Sequence, residues 1–271
     1  MLHKLMPWLS GSLELIFPRE CLVCTRPLRG ASLCFRCTPR SPSHEQLVGA
    51  RCLHCFSQLP SGESDTCATC SIYPLAMERS RYLWEYGGVA RDYIRTMKYR
   101  PSVLLARQSG ELLGTYLTTL FPRSSWDLIV PVPGSQQNFR RRLFHPCTEI
   151  ARSLARYTHG ARLSPCLSRN THRRSQVSLS HEARLTGMRR MFTVPARYNL
   201  TGARVLLVED VITTGATSAA ATLALRRAGA MHVDLLALAQ TSVWSRFRRR
   251  IAESIDLPEA SEDMHIPSPL A

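Results

Sequence analysis

Cysteine pairs near the amino terminus have the spacing of metal ligands. Four CxxC pairs follow one another in about fifty residues: Cys21/Cys24, Cys34/Cys37, Cys52/Cys55 and Cys67/Cys70. A CxxC turn brings two thiolates close enough to share an ion, and two such turns complete a tetrahedral zinc site. The eight cysteines therefore predict two structural Zn²⁺ ions. The short gaps within each half favour two successive zinc ribbons, and an interleaved pairing stays open.

The composition around these cysteines supports a structural metal. The segment is poor in large apolar residues and contains Pro27, Pro39, Pro42 and Pro60, so a metal must supply stability that an apolar core would otherwise give. Redox-active dithiols are the alternative, but four successive CxxC pairs without a thioredoxin-like context make a redox role less favoured. The two cysteines left over, Cys147 and Cys166, are expected to be buried thiols.

A second stretch, from Val205 to Thr217, has the features of a phosphate site. Val205 to Val208 predicts a strand buried on both faces, and Ser218 to Ala228 predicts a helix that ends before Gly229. Between them lies the loop Thr213-Thr214-Gly215-Ala216-Thr217. Free N–H groups and the dipole at a helix start bind anions, the threonine hydroxyls can add donors, and Gly215 permits close approach.

Two carboxylates precede this loop and indicate what else the ligand contains. Glu209 and Asp210 would repel a phosphate unless they faced another part of the ligand. A ribose presents vicinal hydroxyls about one sugar away from its 5′-phosphate, and carboxylates accept hydrogen bonds from hydroxyls. The stretch therefore predicts a ribose 5-phosphate ligand. The alternative is a buried strand that ends in an ordinary polar loop. The predicted ligand-binding residues are Glu209, Asp210, Val211, Thr213, Thr214, Gly215, Ala216 and Thr217.

The surrounding elements predict an α/β fold, with a parallel sheet flanked by helices after the small double zinc-ribbon module. Strands are expected at Arg79–Tyr86, Asp127–Pro133, Arg204–Val208 and His232–Ala239, and right-handed crossovers would place the later ones side by side. Helices are expected at Val89–Met97, Ser102–Leu120 and Cys147–Tyr157. The predicted division is a helix at 1–17, zinc ribbons at 18–75, the α/β domain at 76–243 and a basic, then acidic, disordered tail at 244–271.

Arginine-rich loops accompany the predicted carboxyl edge of the sheet, where open α/β folds bind ligands. The loop after Pro133 carries Arg140, Arg141 and Arg142, which could hold pyrophosphate or nucleic-acid backbone. The basic stretch from Leu167 to Met191 is typical of a mobile lid, with a surface connection as the alternative. The candidate pyrophosphate and lid residues are Pro131, Val132, Pro133, Arg140, Arg142, Arg169, Gln176 and Arg184.

Overall charge favours polyanionic partners. The 271-residue chain has a formal net charge of +15, almost all of it from arginine, and a pI near 10.0. Nucleic acid or phosphorylated ligands suit this balance, although a general preference for arginine on solvated faces would also produce it. Walker A and GxGxxG patterns are lacking. No apolar run is long enough to span a bilayer, so a cytoplasmic location is expected.

The run from Val205 to Thr217 resembles the PRPP (phosphoribosyl pyrophosphate) signature of type I phosphoribosyltransferases. Further features together resemble the ComF (ComFC) family of competence-associated proteins. They are the zinc ribbons, Tyr86-Gly87-Gly88, Met97-Lys98-Tyr99, Asp127 to Pro133, and the spaced Thr171, Gln176, Leu179 and Arg184. The resemblance implies DNA uptake in natural transformation, single-stranded DNA and a competence helicase as partners, and PRPP with Mg²⁺ as ligand.

Departures from the family pattern bear on catalysis. Arg142-Leu143-Phe144-His145 stands where the family usually has Arg-Gly-Phe-Asn, and Gly187 replaces an asparagine. The surfaces that would contact pyrophosphate or an acceptor are altered, while the PRPP loop is intact. Two alternative functions are therefore kept: a phosphoribosyltransferase of nucleobase salvage, and a non-catalytic PRPP or nucleotide sensor. No catalytic base is recognisable.

Overall fold

The computed structural model describes most of the chain between Arg19 and Thr241. The described residues are 19–28, 32–40, 42, 47, 49–59, 65–72, 75–100, 102–135, 137, 139–140, 143–170 and 191–241. Several predictions lie outside them: the helix at 1–17, the tail at 244–271, and the lid residues Gln176 and Arg184. Arg141 and Arg142 also lie outside the described residues.

A five-stranded parallel sheet forms the centre of the structure. Its strand order is β3-β9-β8-β4-β5, and every neighbouring pair runs parallel. The central strand β8 is almost wholly apolar up to Val208, which suits burial on both faces. The strands of this sheet are β3 (Arg79–Glu85), β4 (Leu128–Pro131), β5 (Arg162–Leu163), β8 (Arg204–Ile212) and β9 (His232–Gln240).

Helices flank this sheet, and short strands lie outside it. The helices are α1 (Ala68–Ile72), α2 (Gly88–Tyr99), α3 (Val103–Thr115), α4 (Leu117–Leu120), α5 (Pro146–Leu154) with a 3₁₀ turn at Ala155–Tyr157, and α6 (Ala216–Arg227). Two short antiparallel pairs complete the described elements: β1 (Arg19–Glu20) with β2 (Pro27–Leu28), and β6 (Ser168–Arg169) with β7 (Phe192–Thr193). The predicted fold class, a parallel α/β sheet after a cysteine-rich module, is confirmed.

Several element boundaries differ from the sequence-based prediction. Strand β8 continues to Ile212, so Glu209 and Asp210 belong to the strand and not to the following loop. The helix predicted over Ser102–Leu120 is divided at Tyr116, which is the C-cap residue of α3 and the N-cap residue of α4. Strands β5, β6 and β7 were not predicted, because two residues carry no alternating pattern.

The second cysteine segment packs directly on the edge strand β3. The backbone N–H of Ser80 donates to the carbonyl of His54 at 2.6 Å, and the rings of Phe56 and Tyr82 meet edge to face at 5.5 Å. Buried Arg81 lies over the Phe56 ring at 4.9 Å and donates to the Leu120 carbonyl, and burial lowers its pKa to about 10. This edge of the sheet is therefore covered by the cysteine-rich module, as exposed edges usually must be.

Among the helices that the structure describes, none has both the length and the apolar character required to cross a bilayer.

Candidate functional site

The eight amino-terminal cysteines form two separate four-thiol clusters. Their sulfur atoms lie within 4.8 Å of one another in each cluster. One cluster comprises Cys21, Cys24, Cys34 and Cys37, and the other comprises Cys52, Cys55, Cys67 and Cys70. Neighbouring CxxC pairs combine, so the structure has the successive arrangement and not the interleaved one.

Backbone groups around the sulfurs suit metal-bound thiolates. The N–H of Cys34 donates to the Cys21 sulfur, and the N–H of Cys67 donates to the Cys52 sulfur, each at 3.4 Å. Burial works to raise the pKa of the Cys21 thiol, but hydrogen bonds from the backbone N–H groups of Cys24, Cys34 and Val23 lower it to about 6. Four such sulfurs fit a tetrahedral structural ion. Zinc is the metal that this ligand set favours.

The second candidate site lies at the carboxyl end of the parallel sheet, where β8 ends. Successive side chains of a strand point to opposite faces, so its two carboxylates have different partners. Glu209 accepts a hydrogen bond from the Ser218 hydroxyl of α6, whereas Asp210 forms an ion pair with Lys98 of α2, with Nζ and Oδ1 2.7 Å apart. Both carboxylates line one pocket of about 370 Å³.

Burial alters the protonation of Glu209. Desolvation raises its pKa to about 7, helped by the nearby charge of Asp210, while the Ser218 hydroxyl and Lys98 act in the opposite direction. The carboxyl is therefore balanced between its neutral and charged forms near neutral pH. A ligand that donates hydrogen bonds there would favour the charged form.

Lys98 supplies the positive charge next to the acidic pair. Burial alone would lower the pKa of its ammonium, but the charge and hydrogen bond of Asp210 raise it overall. Lys98 is therefore a cation within the pocket, held at the end of α2. The sequence carried one signal for it, the Met97-Lys98-Tyr99 segment, without a pattern that gave it a role.

The threonine loop connects β8 to the start of α6. Gly215 adopts a left-handed conformation with φ of 68°, which glycine tolerates without strain, and α6 begins at the next residue. Thr213 and Thr217, on either side of the helix start, both line the pocket. The free N–H groups of the first turn of α6 thus begin at the pocket edge.

The structure brings part of the predicted set together. The pocket is lined by these predicted residues: Val132, Pro133, Arg169, Glu209, Asp210, Val211, Thr213 and Thr217. Pro131, Thr214, Gly215 and Ala216 are described but do not line it, and Arg140 is exposed elsewhere on its loop. Arg142, Gln176 and Arg184 lie outside the described residues.

Other pocket residues were not predicted as site residues. They are Tyr86, Lys98, Tyr99, Gly134, Phe144, His145, Pro146 and Cys147. Most come from the segment after β3, from the end of α2 and from the start of α5, which only the folded sheet brings to β8. Cys147 is buried as expected, and its burial beside Asp210 and Glu209 raises its pKa well above the usual thiol value.

Comparison with known proteins gives homologues along most of the chain. It is 24% identical over 236 residues to Competence protein F of Haemophilus influenzae, covering 85% of this chain and 94% of that protein. It is 27% identical over 237 residues to DNA utilization protein YhgH of Escherichia coli, covering 84% and 99% respectively. These homologues confirm the resemblance found in the sequence. No protein-family model matches the chain.

Solved structures give a weaker likeness. An allosteric regulatory enzyme of purine biosynthesis aligns with 59% of this chain at 22% identity and a TM-score of 0.39. A hypoxanthine-guanine phosphoribosyltransferase of Bacillus anthracis aligns with 51% of the chain and 70% of its own, at 15% identity and a TM-score of 0.32. The present chain covers 31% of the first of these two structures.

Proposed function

We propose that this chain acts in the uptake or use of DNA and that its α/β domain binds a ribose 5-phosphate ligand, with PRPP as the foremost candidate. The names of its homologues support the first part. One observation carries the second: Glu209, Asp210, Thr213 and Thr217 line a single pocket at the carboxyl end of β8, which we call the phosphoribosyl pocket. Ligands of open parallel sheets bind at this end.

The pocket divides into a phosphate side and a sugar side. Thr213, Thr217 and the start of α6 would hold the 5′-phosphate, because hydroxyl and N–H donors meet the positive helix end there. Asp210 and Glu209 would accept hydrogen bonds from the ribose hydroxyls. Lys98 forms an ion pair with Asp210 and orients its carboxylate.

Pyrophosphate would lie toward Arg169 and the loop at Val132 and Pro133, which line the same pocket. A guanidinium holds phosphate oxygens by paired hydrogen bonds. Mg²⁺ carried with PRPP would neutralise pyrophosphate charge. The four-thiol clusters would hold structural zinc, which fixes the amino-terminal module and takes no part in ligand chemistry.

Phosphoribosyl transfer to a nucleobase is the second candidate function. The side chains of Tyr86, Tyr99 and Phe144 also line the pocket and offer aromatic surface to a base. Release of pyrophosphate from PRPP by the purified chain with one nucleobase would establish this function. If the chain binds PRPP but releases no pyrophosphate with any nucleobase tested, the sensor alternative is supported.

Calorimetric titration with Mg²⁺ and PRPP tests the ligand assignment. We expect Asp210→Asn to weaken binding by at least about 10-fold, because hydrogen bonds to charged groups contribute roughly 1.5–3 kcal/mol. Asp92→Asn is the matched control, since Asp92 is exposed and its described partner is the neighbouring Arg91. Equal affinity for Asp210→Asn and wild type would refute the ribose role of the acidic pair.

A further inference from the structure

A second, larger cavity lies between the cysteine-rich module and the edge of the sheet. Its volume is about 870 Å³, against about 370 Å³ for the phosphoribosyl pocket. We name it the inter-module groove. Its defining residues are Phe35, Arg36, Arg40, Arg51, Trp84 and Glu85. Residues next to both cysteine clusters form one wall, and the other wall is β3 with the start of α2.

The walls of the inter-module groove are fixed by contacts across it. The indole N–H of Trp84 donates to the Arg40 carbonyl at 3.1 Å, which ties the segment after the first cluster to β3. Next to the second cluster, the carbonyl of Phe56 accepts a hydrogen bond from the hydroxyl of Tyr82 in β3 at 3.4 Å. The groove is therefore built by the docking of the two modules and is preorganised for a ligand.

Positive charge dominates the described lining of the groove. Arg36 and Arg40 are exposed, and Arg51 lies over the Phe56 ring at 4.6 Å while donating to the Phe56 carbonyl. Glu85 is the acidic residue of the described lining, and it accepts a hydrogen bond from the Tyr82 hydroxyl at 2.8 Å. Three guanidinium groups against one carboxylate favour a polyanion.

An exposed aromatic ring stands among these arginines. Phe35 is 81% exposed, and the Arg36 guanidinium lies 5.6 Å from its ring centroid. Leaving a large apolar ring in water gives the free protein no stability, whereas a nucleobase can stack on it. Within a duplex each base is already stacked and paired, so this ring is suited to unpaired bases.

We infer that the inter-module groove binds single-stranded nucleic acid, with phosphates on Arg36, Arg40 and Arg51 and a base stacked on Phe35. The inference rests on the proposed DNA function and gives it a location. Glu85 lines the groove, whereas the next residue, Tyr86, lines the phosphoribosyl pocket, and the two cavities share no lining residue. The groove is therefore a site separate from the ribose site.

Fluorescence anisotropy with a labelled oligo(dT) strand and the full chain tests this assignment. Phe35→Leu keeps an apolar side chain but removes the stacking face, so we expect affinity to fall by at least about 5-fold. Phe35→Trp keeps the face and should bind at least as tightly as wild type. Zinc content and far-UV circular dichroism verify that each variant is folded.

The arginines are tested by the salt dependence of binding. We expect Arg36→Ala with Arg40→Ala to reduce the slope of log affinity against log salt by about 0.7 for each phosphate that the variant no longer neutralises. The matched control is Arg162→Ala with Arg197→Ala, two exposed arginines beside a different cavity. The control should keep the wild-type slope.

The outcomes separate the location from the function. If wild type binds the strand and the groove variants bind it equally well, the groove assignment is wrong and the DNA function stands. If wild type binds no strand at low salt, both are wrong. If a duplex of equal length binds as tightly and Phe35→Leu has no effect on either, the preference for unpaired bases is overturned.

Discussion

Glu209 has a carboxyl whose pKa lies above that of an ordinary glutamate. It stands where the PRPP signature that this stretch resembles usually has its first aspartate. Its longer side chain accepts a hydrogen bond from the Ser218 hydroxyl. Buried beside Asp210, its carboxyl has a pKa raised to about 7 from a usual value of 4.5. Ionising this carboxyl therefore costs the free protein stability near neutral pH.

The pH dependence of stability should reveal this cost. Between about pH 4.5 and 7 the folded chain holds a proton on Glu209 that the unfolded chain has released, so this group lowers stability as pH rises. Glu209→Gln keeps an acceptor for Ser218 and removes the charge. We expect its stability relative to wild type to improve by roughly 2 kcal/mol between pH 5.5 and 8.5, measured by urea unfolding.

The exposed carboxylate Glu111, paired with Arg156, provides the control for this experiment. Glu111→Gln should show no comparable change over the same pH interval. A stability difference between Glu209→Gln and wild type that is equal at both pH values would contradict the raised pKa.

At the scale of elements, the sequence predicted the strands and helices whose patterns are long. Strand β9, the apolar part of β8 and helix α6 lie within one or two residues of their predicted bounds. The division of α3 from α4 at Tyr116 was missed because the apolar spacing continues through it. Continued spacing gives no sign of a break when the residue at the break is itself apolar.

Close packing of α3 on α5 was also beyond the sequence-based reasoning. Gly110 of α3 faces α5 so closely that a Cβ atom there would lie 2.2 Å from the Ile150 carbonyl oxygen and 2.7 Å from Ser153 Cβ. The second helix of this contact, α5, starts at Pro146. Its first residues and its N-cap residue, namely His145, Pro146 and Cys147, line the pocket. The spacing of α3 and α5 therefore affects the site.

We expect Gly110→Ala to destabilise the chain. Alanine favours the helix by about 1 kcal/mol, but overpacking against a backbone oxygen costs roughly 1–3 kcal/mol and that oxygen cannot rotate away. Gly87→Ala is the control, since Gly87 has extended φ and nothing within 4 Å of its Cβ position. Urea midpoints measure both. A Gly110→Ala variant as stable as Gly87→Ala would contradict the packing described.

At the scale of the whole molecule, sequence spacing predicted the four-thiol clusters and the acidic pair, but not the surfaces between them. Lys98 pairs with Asp210, which lies 112 residues later in the sequence, and the Arg40 carbonyl accepts a hydrogen bond from Trp84, which lies 44 residues later. Such pairings depend on the docking of modules, for which a single sequence has no local pattern. The inter-module groove is a product of that docking, so only the structure could locate it.

The two cysteine clusters differ in how they join the rest of the chain. Apolar residues next to each cluster pack against the main core. Beside the second cluster, Phe56 is a buried member of that core and only 5% exposed. In the first cluster Cys24 is exposed, and its neighbours Leu22 and Leu33 are only partly buried. Loss of the second metal site should therefore weaken the α/β domain more than loss of the first.

Paired substitutions test this difference. Cys24→Ser and Cys55→Ser should each remove about one zinc ion per chain, because four thiolates are needed for a closed site. Cys55→Ser should also lower the unfolding free energy by about 2 kcal/mol more than Cys24→Ser, since releasing Phe56 exposes a buried aromatic ring on β3. Metal analysis and denaturant unfolding provide the measurements. Equal destabilisation by the two variants would mean that the contact of Phe56 with β3 does not depend on the metal, and the second cluster would then stabilise only its own loop.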